Sequence, residues 1–226
     1  MIPKLFKGMN NILQNGIFDL HTQATFQALV HAIIPNTLWI TTSGVIEGIE
    51  RLDLKVYEYI IWTLDYSLAI PIKRQLNLIN TSMSKSTAQL LDAAASQLIW
   101  SGQVKSPLNG WAFLGGGSFA ALLRDDRLRV IAFLDQLKIN LGSLPIPYQN
   151  NPGLIRNMMD VLSQLTMFGY YSEWNAYGTT RLLPPDYRQI EYFPVGWIQS
   201  GYPGPAFGYR DLRGFLVDFP HKEGNS

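Results

Sequence analysis

The strongest constraint on the fold of this chain is a series of segments with helical periodicity, separated by helix-stopping residues. The segments span residues 22–34, 44–70, 84–100, 125–140 and 152–168. Apolar residues recur in them at every third or fourth position, and Pro35, Pro71 and Gly102 supply stop signals. We therefore predict a mainly α protein, with a helical domain over residues 20–170 and a short N-terminal segment over residues 1–19.

The sequence after Gly169 follows a different pattern. Residues 168–219 contain 14 of the 28 aromatic residues, and prolines at 184, 185, 194, 203 and 205 interrupt both helix and strand periods. Disordered segments are poor in aromatic residues, so we expect this part to be ordered by packing its rings on the helices, on a partner, or on both. Residues 171–226 are predicted to form an irregular, Gly/Pro/aromatic-rich extension of loops, a short helical turn or a small β-hairpin.

Composition excludes several functional classes. The chain has no cysteine, which rules out disulfides, thiolate metal sites and thiol nucleophiles. Its net charge is +1 without a run of Lys or Arg, so no nucleic-acid footprint is visible. Only 15% of residues are charged, against roughly 25% in typical globular proteins, which fits a surface partly covered by a partner, a large core or many neutral polar residues.

No transmembrane segment of its own is expected. The most apolar run, residues 56–72, contains Glu58 and Asp65 and is shorter than the roughly 20 apolar residues that a spanning helix needs. We interpret it as a buried core helix. The amino terminus lacks the pattern of a secretory signal and the paired arginines of a twin-arginine signal.

The segment GGGSFA, residues 115–120, is the closest approach to a catalytic or nucleotide-binding motif. It matches the glycine spacing of a dinucleotide fingerprint, but the expected βαβ unit is missing and the acid at the right spacing, Asp135, lies in a helical pattern. Ser118 is one glycine short of a nucleophile elbow. The simpler interpretation of Gly115–Gly117 is a flexible turn that leads into a helix.

The titratable residues do not form a recognisable metal or catalytic site. His21, His31 and His221 lack metal-ligand spacing, and we expect each to be satisfied internally or solvated. Asp65 is a lone acid in an apolar helix, so we predict a structural buried carboxylate that either caps another segment or receives an arginine. No catalytic residue, cofactor-binding residue or metal ligand is assigned.

Two stretches of the extension, GYYSEWNAYG (169–178) and VGWIQSGYPGPAFGYRD (195–211), resemble the carboxyl-terminal signature of the gluconate 2-dehydrogenase subunit 3 family. FQALVHAIIP (26–35) is similar to the opening segment of that family. VYEYIIWTLDYSLA (56–69) resembles a helix of the family through Leu64-Asp65. The resemblance runs in order through most of the chain, and its carboxyl-terminal part is the more specific.

The resemblance implies a small, largely helical, non-catalytic subunit of a sugar or sugar-acid dehydrogenase. It implies a large partner subunit of the glucose–methanol–choline type that holds FAD, with a cytochrome subunit in some complexes. Family members often carry a twin-arginine signal, which this sequence lacks. We therefore expect either a cytoplasmic protein or one held at a membrane through its partner.

Rigid rings set among glycines and prolines are typical of interface anchors. The expected partner-binding residues are Trp174, Trp197, Tyr202, Pro203, Gly204, Phe207, Tyr209 and Arg210. Two other hypotheses remain open at this point. One is a stand-alone interaction protein whose aromatic extension folds onto its own helices, and the other is an enzyme that binds a nucleotide at Gly115–Gly117.

Overall fold

The computed structural model describes residues 19–34, 39–41, 44–46, 54–66 and 82–204. The protein is mainly α, as predicted. Its regular elements are α1 Leu20–Ile33, β1 Trp39–Thr41, β2 Gly44–Ile46, α2 Val56–Tyr66, α3 Met83–Trp100, α4 Ser118–Ala121, α5 Arg124–Asp135, α6 Pro152–Tyr171 and α7 Val195–Ser200. Short 3-10 segments occur at Leu141–Ser143, Asn175–Thr180 and Pro185–Tyr187, and the second of these is kinked at Gly178.

Helix α1 is the centre of the fold, because it packs against each of α2 to α6. Helix α6 packs against α2 and α5, and α3 packs against α2, α4 and α5. Phe26 and Leu29 of α1 have no exposed surface, and small residues such as Ala24 and Ala28 allow neighbouring helices to approach. The apolar face predicted for this segment is therefore only part of what α1 buries.

Short polar side chains fix where the long helices begin. Asp19 accepts a hydrogen bond from the backbone N–H of Thr22 (3.0 Å), Ser82 from that of Lys85 (3.1 Å), and Asn151 from that of Leu154 (3.2 Å). Each bond satisfies one of the free N–H groups of a first helical turn. Pro152 follows Asn151 at the first helical position, where the N–H group that proline lacks would have no partner within the helix.

The continuous helix predicted over residues 44–70 is wrong at its start. Gly44–Ile46 forms strand β2, which pairs antiparallel with β1, with Thr41 opposite Gly44 and Trp39 opposite Ile46. Helix α2 begins only at Val56. A short run of apolar, β-branched residues fits either a strand or a helix face, and here the pairing with β1 decides. The predicted end at Pro71 lies outside the described residues.

Buried charged side chains link the loop between α3 and α4 to helix α5. Asp126 accepts hydrogen bonds from the backbone N–H groups of Lys105 (3.2 Å) and Ser106 (3.0 Å) and from Arg129 Nη1 (2.8 Å). Burial by itself would raise the pKa of Asp126, but these hydrogen bonds outweigh it and hold the pKa below its usual value. The neighbouring Arg127 is also buried, and it donates to the backbone oxygens of Phe119 and Ala120.

Candidate functional site

The glycine loop before α4 is already contacted by a side chain of the protein itself. A Cβ atom added at Gly117 would overlap the carboxyl group of Asp92, which lies on α3. Asp92 Oδ1 accepts the backbone N–H of Phe119 (2.8 Å), a group that a nucleotide phosphate would need. An anion brought to this loop would also meet the negative charge of Asp92. This geometry argues against nucleotide binding at Gly115–Gly117 and explains why glycine occupies position 117.

The same carboxylate contacts a histidine. His21, in the first turn of α1, is paired through Nε2 with Asp92 Oδ2. Ser118 and Ser96 share a hydrogen bond between their hydroxyl groups (2.9 Å) beside this pair. The His21–Asp92 contact joins α1 to α3 and the glycine loop, which agrees with the expectation of an internally satisfied histidine.

His31 also has partners within the protein. Arg127 Nη1 lies 3.5 Å from its Nδ1, and its ring forms a T-shaped contact with the ring of Phe113. Across the described ranges, no group of three or more His, Asp or Glu side chains could hold a metal ion. None of the helices described by the structure has the length and apolar character needed to traverse a bilayer.

Asp65 caps another helix, which is one of the two roles predicted for it. Its carboxylate accepts hydrogen bonds from the hydroxyl of Ser82 (2.9 Å) and from the backbone N–H of Ser84 (3.0 Å) at the start of α3. The residue is half-buried rather than fully buried. Burial raises the pKa of the adjacent Tyr66 to about 12, and the nearby Asp65 carboxylate adds to this shift.

The buried acid of this region is Glu58, which sequence reasoning did not single out. Glu58 is 6% exposed, and its Oε2 receives a hydrogen bond from Arg181 Nε (2.6 Å). A second bond joins Arg181 Nη2 to Glu58 Oε1 (3.2 Å), so the pair is bidentate. The hydrogen bond to Glu58 raises the pKa of Arg181. The two residues are 123 positions apart, and the presence of a glutamate within an apolar run was the only sign of this link in the sequence.

Trp174 attaches the aromatic extension to the helices. Its side chain is 2% exposed, and its Nε1 donates to the backbone oxygen of Lys55 (3.0 Å), just before α2. The ring packs edge-on against Tyr59, with 5.3 Å between centroids. Arg188 covers the outer side, with its Cζ 4.7 Å from the Trp62 ring and 5.2 Å from the Trp174 ring. Trp174 is thus used mainly within the protein's own fold.

Trp197 forms the centre of a second aromatic group on α7. It is 8% exposed and lies between the rings of Phe193 and Tyr202, with centroid distances of 5.5 and 4.9 Å. Gly201, in the left-handed conformation (φ 69°), ends α7 and turns the chain back, so that the backbone N–H of Tyr202 donates to Trp197 O (2.9 Å). A Cβ at Gly196 would overlap the backbone of Tyr171, so α7 lies directly on the end of α6.

Around Trp197 the extension presents an apolar outer face. We call it the aromatic surface, and its exposed members are Tyr171, Phe193, Ile198 and Tyr202. Pro203 is exposed and Gly204, with φ 96°, is half-buried against the rings of Trp197 and Phe193. The predicted anchors Phe207, Tyr209 and Arg210 lie outside the described residues.

The structure therefore divides the predicted anchors into two groups. Trp174 and Trp197 are buried and support the extension from beneath, whereas Tyr202 and Pro203 lie at the surface. Phe193 and Ile198 belong to the same surface, although sequence reasoning did not name them. The sequence offered one indication of their role. Both lie in the extension already predicted to bind a partner, Phe193 next to Pro194 and Ile198 next to Trp197.

Comparisons of the chain with protein-family models, with curated proteins and with solved structures gave no match.

Proposed function

We propose that this protein is a non-catalytic accessory subunit that binds a larger protein through the aromatic surface of its carboxyl-terminal extension. The observation that supports this most is the arrangement around Trp197, in which a buried ring holds Phe193 and Tyr202 in place while both remain exposed. Exposed apolar side chains on a fixed support resemble the anchors of protein interfaces, because little side-chain freedom is lost on binding.

Three features hold the aromatic surface in position before any partner arrives. α7 lies against the backbone of Tyr171, Gly201 returns the chain onto Trp197, and the extension is tied to α2 by Trp174 and Arg181. A preorganised surface keeps more of its interaction energy for binding. A permanent interface is larger than four side chains, and we expect Phe207 and Tyr209 to extend it.

The resemblance of residues 169–178 and 195–211 supplies the class of partner. It is a large FAD-dependent dehydrogenase of the glucose–methanol–choline type that acts on a sugar or sugar acid, and a cytochrome subunit can join the complex. In this proposal the FAD and the chemistry belong to the large subunit. The small subunit stabilises that subunit or helps it to mature, and holds no cofactor.

The test is co-expression with a glucose–methanol–choline flavoprotein, which we expect to be encoded beside this gene, followed by co-purification. We expect a stable complex with the unaltered chain. Phe193→Ser and Tyr202→Ser should each weaken binding by about 2 kcal/mol, which is roughly 30-fold in Kd. Trp100→Ser is the matched control, since Trp100 is an exposed ring at the end of α3, outside the aromatic surface.

Deleting the whole extension would be a poor test, because it would remove Trp174 and the Arg181 partner of buried Glu58 and so unfold the helices. Three outcomes would contradict the proposal. They are a chain that never co-purifies with the flavoprotein, a complex that both serine variants leave intact, and a purified chain that turns over a sugar or binds a nucleotide without a companion.

A further inference from the structure

The loop between α3 and α4 exposes large apolar side chains without any charge among them. Residues 107–115, which we call the Trp111 loop, read PLNGWAFLG. Trp111 is 85% exposed and Leu114 is 71% exposed, and Leu108 is also exposed. Leu20 of α1, 69% exposed, adjoins them, since a Cβ at Gly115 would lie 3.3 Å from the Leu20 Cβ.

The Trp111 loop is fixed to the body of the protein from within. Phe113 alone points inward, where it is 8% exposed, with the Arg127 Cζ 4.7 Å from its ring centroid. The backbone N–H of Asn109 donates to Ala121 O (2.7 Å), and the Trp111 N–H donates to Asn109 Oδ1 (3.1 Å). The outward direction of Trp111 and its neighbours is therefore built into the fold.

Large contiguous apolar patches on a protein surface mark binding sites. The side chains of Leu20, Leu108, Trp111 and Leu114 together expose about 500 Å², less than the roughly 800 Å² that each partner contributes to a standard protein interface. Protein interfaces also carry about one hydrogen bond per 100–200 Å². These four side chains offer only the indole N–H of Trp111 for such bonds.

A bilayer surface matches this chemistry better. Aliphatic side chains gain free energy on entering the acyl region, and tryptophan concentrates at the boundary between acyl chains and headgroups, where its ring is buried and its N–H stays near water. We propose that the Trp111 loop, with Leu20, inserts into the outer layer of a lipid bilayer and holds the protein reversibly at the membrane. This inference is independent of the proposed subunit function.

Because residues 107–115 carry no charge, the attachment should be apolar in character. It should occur on neutral phosphatidylcholine vesicles and change little between low and high salt, unlike attachment through basic residues. Four inserted side chains give a weak, reversible association, comparable with that of a single short acyl chain.

The first experiment is co-sedimentation of the full chain with phosphatidylcholine vesicles at millimolar lipid. We expect binding by the unaltered chain and a loss of about tenfold in the partition coefficient for Trp111→Ala, with a larger loss when Leu114→Ala is added. Trp100→Ala is the matched control, because Trp100 is 89% exposed but lies outside the loop. It should bind as the unaltered chain does.

The second experiment shows which ring enters the bilayer. Phosphatidylcholine with brominated acyl chains quenches the fluorescence of nearby indoles. Trp111→Phe keeps an apolar ring and should still sediment with vesicles, but most of the quenching should disappear. Trp100→Phe should leave the quenching unchanged.

Either experiment can overturn the proposal. Failure of the unaltered chain to bind vesicles, equal binding by Trp111→Ala, or quenching that persists in Trp111→Phe would each refute it. Light scattering of the lipid-free protein adds a further outcome: a dimer that Trp111→Ala dissociates would assign the loop to a second copy of the chain. Loss of flavoprotein binding in Trp111→Ala without any vesicle binding would assign it to a protein partner instead.

Discussion

Asp126 has no exposed surface, yet its carboxylate is fully used by the backbone of the loop that precedes α4 and by Arg129. Arg127, the next residue, is buried against the carbonyl groups that end α4. Burial lowers the pKa of Arg127 to about 10, which still leaves it charged at neutral pH. Each buried charge in this pair is thus compensated by backbone dipoles, and this compensation fixes the loop on α5.

Asp126→Asn should reduce the free energy of unfolding by about 2 kcal/mol at about pH 7, because an amide accepts fewer of these bonds and loses the charge that faces Arg129. The folded-state pKa lies below the ordinary 3.8. The contribution of the carboxylate is therefore complete above that value and is lost as the pH falls through the folded-state pKa. Urea unfolding across this range should show the variant and the unaltered protein converging at the acid end.

The control for this measurement is Asp125→Asn, a change at the exposed neighbour in the same helical turn. It should alter stability by no more than about 0.5 kcal/mol. A constant difference between Asp126→Asn and the unaltered protein down to the lowest pH would show that the loss is steric rather than electrostatic.

At the scale of single elements, α3 depends on residues far from it in the sequence. Asp65, at the end of α2, receives the backbone N–H of Ser84 and the hydroxyl groups of Ser82 and Ser84. Farther along α3, Asp92 receives the N–H of Phe119 and contacts His21. The two carboxylates connect α3 to α2, α1 and α4.

Asp65→Ala should cost about 1–2 kcal/mol, since it leaves an N–H group of the first turn of α3 without its acceptor. Asp160→Ala, an exposed aspartate on α6, serves as the control and should change stability by less than about 0.5 kcal/mol. Urea midpoints measured by far-UV circular dichroism compare the two. Equal midpoints would contradict the capping role of Asp65.

Gly117→Ala should destabilise the protein by about 2–3 kcal/mol, because its methyl group would displace the Asp92 carboxyl from its contacts. Gly110→Ala in the preceding loop is the control, since a Cβ there has nothing within 4 Å. That change should be neutral or slightly stabilising, as it restricts the unfolded chain. Thermal unfolding distinguishes the two, and a neutral Gly117→Ala would refute the close approach of Asp92.

The helices were largely predictable from the sequence because their information is local. Asn151–Pro152 marked the start of α6, and Gly102, in the left-handed conformation (φ 68°), followed the end of α3. Strand β2 was not predictable, because Gly44–Ile46 is too short for its period to exclude a helix and its pairing depends on β1. The close approach of Asp92 to Gly117 depends on tertiary packing, and so does the ion pair between Glu58 and Arg181. No spacing in the sequence encodes either contact.

At the scale of the whole molecule, the extension and the helices form one packed unit over the described residues. Trp174 bonds to Lys55, Arg181 pairs with Glu58, and α7 rests on α6. The irregular character predicted for the extension is confirmed for residues 172–204, which form loops and short helical turns. The sequence left open whether the rings of the extension pack onto the helices or face outward. In the described part of the extension, Trp174 and Trp197 are buried, whereas Phe193 and Tyr202 are exposed. The division into a helical domain and a separate extension remains a prediction.

Trp174→Ala should lower the free energy of unfolding by about 3–5 kcal/mol, through the cavity it leaves beneath Arg188 and the lost bond to Lys55. Helix content and tryptophan emission should fall together in a single transition, because the extension cannot detach without exposing α2. Trp100→Ala should change the free energy of unfolding by no more than about 0.5 kcal/mol. Two separate transitions in the unaltered protein would contradict this one-unit description.

The link between Trp174 and Lys55 spans 119 residues, and it bears on how the protein emerges from the ribosome. Helix α2 leaves the exit tunnel long before the indole that covers it has been translated. At a synthesis rate of about 5–20 residues per second, the Tyr59 and Trp62 rings of α2 stay without this indole for on the order of ten seconds. A message that ends early would release a nascent polypeptide with these two rings uncovered, which is a substrate for chaperones and proteases.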